Sequence, residues 1–559
     1  MKAAPRLRRA AMRLLAGGIF CGLSPGLAPP RFGGQGRPLR PPQRYFSLLR
    51  QDGRWWLLTP GGRVFWMLAV DDVNPSRSRN AAGSSYAARA EAKYGSEKTW
   101  AEQSARRLLA WGFNSLGEYA SQYVLPARWP WGGRWRIHTR LPFVAMIRPA
   151  LYSLRNQYGY AREPVKDVLA GVSRKIYRGW RGAAAPDVFD PNFAAYARAE
   201  AAALPPPVRS SRWLIGLTSD DADNLAGFGP GPEPRASRCS PNLGWITAVT
   251  DYEQAANPRW GVRYRDHRVY TKLALERRLR AEYGSIARLN AAWGADYSRF
   301  GDDGGWGRGR GWLDEDGRHA WIGRDNCGLR TAAPAVRRDL ERFVYRYARQ
   351  YFRATTQALR RAAPGHLVFG PATLNGWGGL TRSGILRAAG ESVDVLQVNA
   401  GSRRMLQLTL AADGGRPLVY WLGLAANPDS ALWRYPRGAP GVRIYASQAA
   451  RGRAYRRALE TAFRECAAGI CPVLGIKDWA FADSWAEKMN WGLVSARDNA
   501  YDGREARRAR GRDAWNYPTG GEARDYGDFV DAVTAANRKI AGWSRRWSRG
   551  RSRQARRRQ

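Results

Sequence analysis

Short apolar segments recur along the chain, and most are bounded by small or turn-forming residues. Each is too short for a helix, which is typical of strands buried on both faces of a sheet. A hairpin with Pro60 and Gly61 in its turn leads into the first strand. The predicted strands are Val64–Val70, Phe113–Leu116, Leu141–Ile147, Trp213–Leu217, His366–Gly370, Val393–Asn399, Pro417–Leu422 and Pro472–Ile476.

Segments with the spacing of amphipathic helices lie between these strands. They are Trp100–Trp111, Pro191–Leu204, Val269–Tyr283, Ser285–Trp293, Ala335–Ala363 and Ala449–Ala467. Strands that alternate with helices predict an α/β fold with a parallel sheet, and eight such units predict a closed (β/α)8 TIM barrel. An open doubly wound sheet is the alternative. The sequence contains no GxGxxG or GxxxxGK[ST] fingerprint that would favour a nucleotide-binding fold.

A chain of 559 residues with 44% hydrophobic content can bury a large core. We predict a signal-like leader and Pro/Arg-rich linker over residues 1–44, a barrel with loop insertions over 45–540, and a disordered Arg-rich tail over 541–559. The leader has a basic start and an apolar stretch from Leu14 to Leu27, which is the layout of a secretory signal. This predicts a secreted or periplasmic protein. A merely basic leader on a cytoplasmic protein is the alternative, and no internal stretch is apolar for long enough to span a bilayer.

The formal net charge of +44 would ordinarily indicate a nucleic-acid partner. Its arginines, however, are spread through nearly every segment, which indicates a compositional bias more than a binding patch. Only the segment from Arg538 to Gln559 is a dense cluster, and it predicts non-specific polyanion binding through the tail.

The five cysteines show no CxxC or Cys/His spacing, so we expect no metal site built on them and no cofactor. Cys466 and Cys471 could pair in an exported protein, although free buried cysteines are the expected state. Asp221 and Asp223 lack the third ligand and the glycine of an EF-hand, which argues against calcium.

Three aspartates crowd the end of the fourth predicted strand, at Asp220, Asp221 and Asp223. Barrel enzymes keep their chemistry at the carboxyl ends of their strands, so this cluster is the first candidate for a catalytic site. The alternative is an ordinary loop whose aspartates cap a helix or bind water.

Several segments resemble the (β/α)8 glycoside hydrolases related to β-agarases and to β-galactosidases of the same clan. They are the hairpin DGRWWLLTPGGRVFWMLAV, the second-strand segment LLAWGFNSLGEY, the phrase YGSIARLNAAWGADY, and the sixth- and eighth-strand segments SVDVLQVNA and DWAFADSWAEKMNWGLVSARDNAYDG. The resemblance covers about residues 45 to 540 and rests on the order of these segments along the chain. It implies action on a polysaccharide or oligosaccharide.

The chain departs from this resemblance at the two catalytic positions. The clan's general acid/base is a glutamate after the fourth strand, and Ala222 stands there when IGLTSDDA is laid on the family phrase. The clan's nucleophile is a glutamate that ends the seventh strand, where Leu422 or Gly423 stands. Retaining hydrolysis needs two carboxyl groups about 5–5.5 Å apart, and these residues supply none.

Two interpretations follow. In the first, the carboxylates have moved: Asp221 or Asp223 protonates the leaving group, and Asp429 or Asp483 activates water or attacks. Aspartate is shorter than glutamate, so such a pair would suit the inverting separation of about 6.5–9.5 Å. The catalytic candidates are therefore Asp221, Asp220, Asp223 and Asp429. In the second interpretation the barrel binds sugar without cleaving it.

Tryptophan rings stack on sugar faces, and side chains at strand ends can bind sugar hydroxyls. The predicted substrate-binding residues are Asn114, Trp377, Asn399, Trp479, Asp483, Trp485, Glu487 and Asn490. Because tryptophan is abundant throughout the chain, packing in the core is the alternative for each tryptophan in this set.

Overall fold

Eight short parallel strands form the centre of the protein in a computed structural model. It describes residues 34, 36–75, 85–120, 141–149, 186–220, 270–301, 311–314, 333–372, 383–399, 403–422, 425–426, 443–445, 447–483, 491–495, 498–500 and 529–556, all within the unit Phe32–Gln559. Asp221, Asp223, Trp377, Asp429, Trp485, Glu487 and Asn490 lie outside the described residues. The predicted leader to residue 33 does so as well.

The strands follow the predicted order. A three-stranded antiparallel hairpin sheet comes first, with β1 Ser47–Gln51, β2 Arg54–Leu58 and β3 Val64–Phe65. The barrel strands are β4 Met67–Val70, β5 Ser115–Leu116, β6 Phe143–Ile147, β7 Leu214–Ser219, β8 Leu367–Phe369, β9 Leu396–Asn399, β10 Leu418–Leu422 and β13 Val473–Asp478. A separate parallel pair consists of β11 Ala425–Ala426 and β12 Arg443–Ile444.

Neighbouring barrel strands are all parallel, in the order β8-β7-β6-β5-β4-β13-β10-β9. A parallel bridge between Phe369 and Val395 joins the two outermost strands, and the Gly370 amide donates to the Val395 carbonyl at 2.8 Å. The sheet is therefore a nearly closed barrel, and each of the eight predicted strands overlaps one of its strands. The predicted (β/α)8 fold is confirmed.

Helices surround the strands. They are α1 Tyr86–Tyr94, α2 Glu97–Ala110, α3 Pro191–Ala202, α4 Pro206–Arg209, α5 Tyr270–Tyr283, α6 Ile286–Trp293, α7 Pro334–Ala362, α8 Ser383–Ser392, α9 Arg403–Asp413, α10 Gln448–Arg464 and α11 Phe529–Arg556. Serine side chains cap several of them; for example, Ser96 accepts from the Thr99 amide and Ser447 from the Ala450 amide. These caps define where the helices begin after the connecting loops.

The amino end of the barrel is closed by the hairpin sheet. Because β3 leads directly into β4, the hairpin residues Phe46, Leu57 and Phe65 pack against the apolar side chains inside the barrel. Those interior residues are Met67, Ala69, Val144, Ile215, Phe369, Val395, Val419 and Leu474. This end is an apolar core, so polar chemistry has to lie at the opposite end.

The C-terminal segment differs from its prediction. The predicted disordered tail from residue 541 is helical as far as Arg556, because α11 continues without a break through the expected boundary. Ser544 is buried, and the Trp547 ring lies 4.0 Å from the Trp56 ring of the hairpin, centroid to centroid. The apolar face of α11 therefore holds its arginines in an ordered helix at least as far as Trp547.

Cys466 and Cys471 form a disulfide, so the expectation that they are free thiols is wrong. They stand on either side of a tight turn in which Ala467 and Ile470 exchange backbone hydrogen bonds, each of 2.9 Å. This turn brings the two cysteines together. Among the described helices, none has an apolar stretch that would span a membrane.

Candidate functional site

The mouth of the barrel, formed by the carboxyl ends of its eight strands, is filled by polar side chains. These polar side chains lie on the inward face of the strands, which carries apolar or small residues nearer the amino end. Gln397 follows Val395 by two residues, and Lys477 follows Gly475 by two. Because side chains alternate across a strand, this spacing keeps Gln397 and Lys477 inside the barrel. The mouth therefore has a buried polar layer above the apolar core.

Glu118 is the centre of this layer. It follows β5 by two residues and is 2% exposed, while Lys477 on β13 is fully buried. The Lys477 ammonium donates to Glu118 Oε2, and Gln397 Nε2 donates to Glu118 Oε1 at 2.8 Å. The same Gln397 amide lies 2.8 Å from the Gly370 carbonyl and 3.2 Å from Thr218 Oγ1. One carboxylate thus links strands from opposite sides of the barrel.

Asp71 lies beside Glu118, directly after β4, and is fully buried. Its Oδ1 accepts from the backbone amides of Asp72 and Tyr119, each at 2.9 Å. It lies near enough to Glu118 for the two carboxyl groups to interact electrostatically. Burial, and then the neighbouring Glu118 charge, raise the pKa of Asp71 well above its ordinary value, and Lys477 opposes this shift.

A glycine makes this close packing of carboxyl groups possible. A Cβ at position 117 would overlap the carboxyl of Asp71, including Oδ2. Any larger residue at Gly117 would push the Asp71 carboxyl out of its place beside Glu118. The sequence Gly117-Glu118 is therefore part of how the polar layer is built.

An aromatic wall, consisting of Tyr119, Trp421 and Trp479, lies next to this layer. Trp421 and Trp479 stack with ring centroids 5.4 Å apart, and Tyr119 meets Trp479 edge to face at 5.5 Å. The Arg148 guanidinium lies 5.3 Å above the Tyr119 ring, and the Lys477 ammonium 5.6 Å from the Trp421 ring. Tyr119 and Trp479 are only half-buried, so the wall offers ring surface at the mouth.

Asp220 is the one residue of the predicted aspartate cluster that the structure describes. It has a φ of 57°, and its carboxylate accepts a 2.6 Å hydrogen bond from the Tyr351 hydroxyl. Tyr351 belongs to α7, outside the barrel wall, and Asp220 is fully buried. The Asp220 carboxylate therefore accepts a hydrogen bond from a helix outside the barrel wall.

The other described candidates have separate positions. Trp479 and Asn399 lie at the mouth, at the carboxyl ends of β13 and β9. Asn114 lies at the start of β5, where its amide pairs with the Leu68 amide and the Trp66 carbonyl of the neighbouring segment. Asp483 is buried and accepts from the Gly492 amide at 2.8 Å. Of these residues, Trp479 and Asn399 are half-buried at the mouth, whereas Asp483 is buried.

Sequence reasoning missed Glu118, Gln397, Lys477 and Trp421 as site residues. Asp71 was visible as an acidic residue ending the first strand, and Glu118 stands two residues beyond the second. The signal that could have found them is the alternation of each strand, which places Gln397 and Trp421 on the same face as interior apolar residues. Within the described part of the chain, no group of three or more His, Cys, Asp or Glu side chains could hold a metal ion.

Comparison with known proteins gives this geometry a context. No protein-family profile matches the chain. The β-agarase A of Vibrio sp. (strain JT0107) is 24% identical over 405 residues, which cover 65% of this chain and 34% of that protein. The chain resembles β-agarases. It nevertheless spans only about a third of the length of this relative.

Solved structures of agarases share the fold. An exo-β-agarase superposes with a TM-score of 0.59 and 19% identity, covering 92% of this chain and 67% of the agarase. The agarase AgWH50C gives a TM-score of 0.58 and 18% identity, with the same coverage of 92% and 67%. The resemblance noted in the sequence is thereby confirmed, and the barrel is common to these proteins.

Proposed function

We propose that this chain is a glycoside hydrolase-like protein that acts on a polysaccharide of the agar type. The observation that carries this proposal is a half-buried aromatic wall beside carboxyl groups at the mouth of a barrel whose fold is shared with agarases. Flat indole rings stack on the apolar faces of sugars, and carboxyl groups cleave glycosidic bonds. The relative named β-agarase A supports the choice of polysaccharide.

The chemistry proposed is acid-assisted hydrolysis of a glycosidic bond by water. It needs one carboxyl group that protonates the leaving oxygen and a second that activates water or attacks. Asp221 and Asp223, which follow β7 in the sequence, remain the predicted proton donors, and Asp429 or Asp483 remains the predicted second group.

We place this activity outside the cytoplasm. The Cys466–Cys471 disulfide is the supporting observation, because disulfides persist in oxidising compartments. The signal-like pattern of the first 28 residues points in the same direction.

Polyanion binding by the basic C-terminal segment is a separate, secondary proposal. Because α11 packs on the hairpin as far as Trp547, the test should remove only residues 548–559. Loss of heparin retention without loss of thermal stability would support it. Unchanged retention would assign polyanion binding to the arginines elsewhere on the surface.

The test of the main function is release of reducing ends from agarose and from a panel of other polysaccharides by the purified chain. We expect Trp479→Ala to weaken oligosaccharide binding by about 10-fold, equivalent to ~1.4 kcal/mol of lost stacking. Trp547→Ala is the matched control, since Trp547 is also a half-buried tryptophan but packs on the hairpin. Binding without hydrolysis across the panel would indicate that the barrel binds carbohydrate and does not cleave it.

A further inference from the structure

We propose that Arg148 makes the barrel mouth selective for an anionic glycan, one whose sugars carry sulfate or carboxylate groups. The proposal rests on the function proposed above, because it takes the aromatic wall as the surface on which the sugars stack. It deepens that function by naming the chemical class of the polysaccharide. The chemistry that sulfate and carboxylate share is a compact oxyanion attached to the sugar ring.

Arg148 directly follows Ile147, the last residue of β6, at the carboxyl end of the barrel. Val144 of the same strand lies inside the barrel, and side chains on one face of a strand recur every second residue. This period directs Arg148 towards the mouth. The Arg148 guanidinium also lies 5.3 Å from the centre of the Tyr119 ring, which belongs to the aromatic wall. Arg148 is only half-buried, so part of its side chain is open to solvent.

Two cations contact the aromatic wall in the part of the chain that the structure describes, and they differ in exposure. The Lys477 ammonium lies 5.6 Å from the Trp421 ring, but it is fully buried and donates to Glu118. Its charge therefore acts inside the polar layer. Arg148 contacts Tyr119, a different ring of the wall, and is half-buried. Of the two cations, Arg148 is therefore the one that a ligand in the mouth would meet.

The guanidinium group suits an anion that is attached to a stacked sugar. It carries five N–H donors in a planar fork, which matches two oxygens of a sulfate or a carboxylate. Contact with the Tyr119 ring limits the rotation of this fork and so lowers the entropy cost of ordering it. Tyr119 also meets Trp479, so a sugar stacked on Trp479 would lie beside the fork. Ring surface and anion donor therefore adjoin in one site.

The buried polar layer next to the wall does not strongly oppose an anion. Glu118 is paired with Lys477, and both side chains are buried, so this pair carries no net charge. Asp71 is also buried, and burial is the main cause that raises its pKa well above the ordinary value. This shift favours the neutral form of Asp71. A negative substituent at Arg148 would thus meet a layer of little net charge.

This local site differs from the general basic character of the chain. The net charge of +44 attracts any polyanion, whatever its sugars are. Arg148, in contrast, would bind a single substituent at one position of a stacked sugar. A short oligosaccharide with one anionic group therefore tests the site, whereas a long sulfated polymer would also bind the C-terminal arginines.

The experiment is a calorimetric titration of the full chain with three agar-type oligosaccharides of equal length. One is neutral, one carries a single sulfate ester, and one carries a single carboxylate. We expect the wild type to bind at least one charged oligosaccharide about 10-fold more tightly than the neutral one, because charge-assisted bidentate hydrogen bonds are strong. The charged oligosaccharide with the higher affinity identifies the anion. Added salt should lower the ratio of charged to neutral affinity.

Three variants separate anion recognition from structural effects. Arg148→Gln should bring the ratio of charged to neutral affinity close to one. Arg44→Gln is the matched control, because Arg44 also lies over a half-buried tyrosine, with its guanidinium 5.1 Å from the Tyr45 ring. Tyr45 packs on His366, which precedes β8 at the amino end, so this variant should keep the wild-type ratio. Trp479→Ala should weaken the binding of all three oligosaccharides and leave their ratio as it is.

Each outcome decides a separate point. A wild-type ratio of one, which needs no variant to measure, or a ratio retained in folded Arg148→Gln, would overturn anion recognition by Arg148. Equal losses in Arg148→Gln and Arg44→Gln would assign the preference to overall charge and overturn it as well. Hydrolysis of neutral agar-type chains without any anionic preference would leave the proposed function standing and refute this inference. A preference that depends on Arg148, without hydrolysis of any glycan, would support the inference and refute the hydrolytic function.

Discussion

The two ends of the barrel are made by the same eight strands and differ in what fills them. At the amino end, Leu57 and Phe65 of the hairpin close a wholly apolar interior. At the carboxyl end, Asp71, Glu118 and Lys477 are buried just as deeply, yet they are polar, and Lys477 of β13 donates a hydrogen bond to Glu118 beyond β5. Burial alone therefore does not distinguish core from site. The difference lies in whether a side chain's removal leaves a void or an unpaired charge.

The largest effect is expected at the polar end, from Lys477→Met. It leaves the buried Glu118 carboxylate without its cation, which should lower the free energy of unfolding by about 3–5 kcal/mol. Urea denaturation measures this loss. The double variant Lys477→Met/Glu118→Gln, which removes both charges, should recover most of it. Equal losses in the single and double variants would mean that charge pairing does not stabilise this end.

At the apolar end, Leu57→Ala should cost about 3 kcal/mol, because it removes a fully buried side chain and leaves a cavity. Glycan binding per folded molecule should not change, since the hairpin is at the end opposite the mouth. Denaturation together with oligosaccharide titration tests both statements. A binding defect in the folded variant would show that the two ends are coupled.

A pH-dependent effect, of about 1.4 kcal/mol for each pH unit, is expected on the outer face of β13, where Asp478 lies against α10. Burial raises the pKa of Asp478 from its ordinary value of 3.8 to about 7, and Arg451 partly opposes this. Between these values the folded state keeps a proton that the unfolded state loses. The stabilisation is therefore complete below about pH 4 and is lost as the pH rises towards 7.

Asp478→Asn should remove this dependence. The unfolding free energy should then decrease less steeply with pH, by about 1.4 kcal/mol per pH unit over that range. Asp531→Asn, on the exposed side of α11, is the control that should leave the slope as it is. Asp187 and Asp413, whose pKa values are likewise raised to about 7, should keep part of the slope in every variant. An unchanged slope in Asp478→Asn would contradict the assignment.

Most of the barrel could be predicted from the sequence because each strand carries its own local signal. Val393–Asn399 and Pro472–Ile476, for example, were predicted from short apolar segments and overlap β9 and β13. The C-terminal helix could not be predicted in this way. Its many arginines are typical of a disordered tail. The contact that orders the helix, Trp547 on Trp56, joins residues almost 500 positions apart, so no local pattern predicts it.

The polar layer was harder to predict than the strands that carry it. The aspartate cluster at Asp220 was visible as a local pattern, but its described member contacts α7. Glu118 and Lys477 are separated by 359 residues, and no local pattern in either segment predicts that the two side chains pair. Their pairing follows from barrel closure, which brings the ends of β5 and β13 to either side of β4.

The central claim is that the carboxyl end of the barrel meets the polysaccharide while the amino end only holds the fold. Hydrogen–deuterium exchange with and without a saturating agar-type oligosaccharide tests this most directly. We predict new protection at residues 115–119 and 473–479, beside the aromatic wall, and none at the hairpin residues 46–58. Protection confined to the hairpin or to α11, with none at the mouth, would contradict the account.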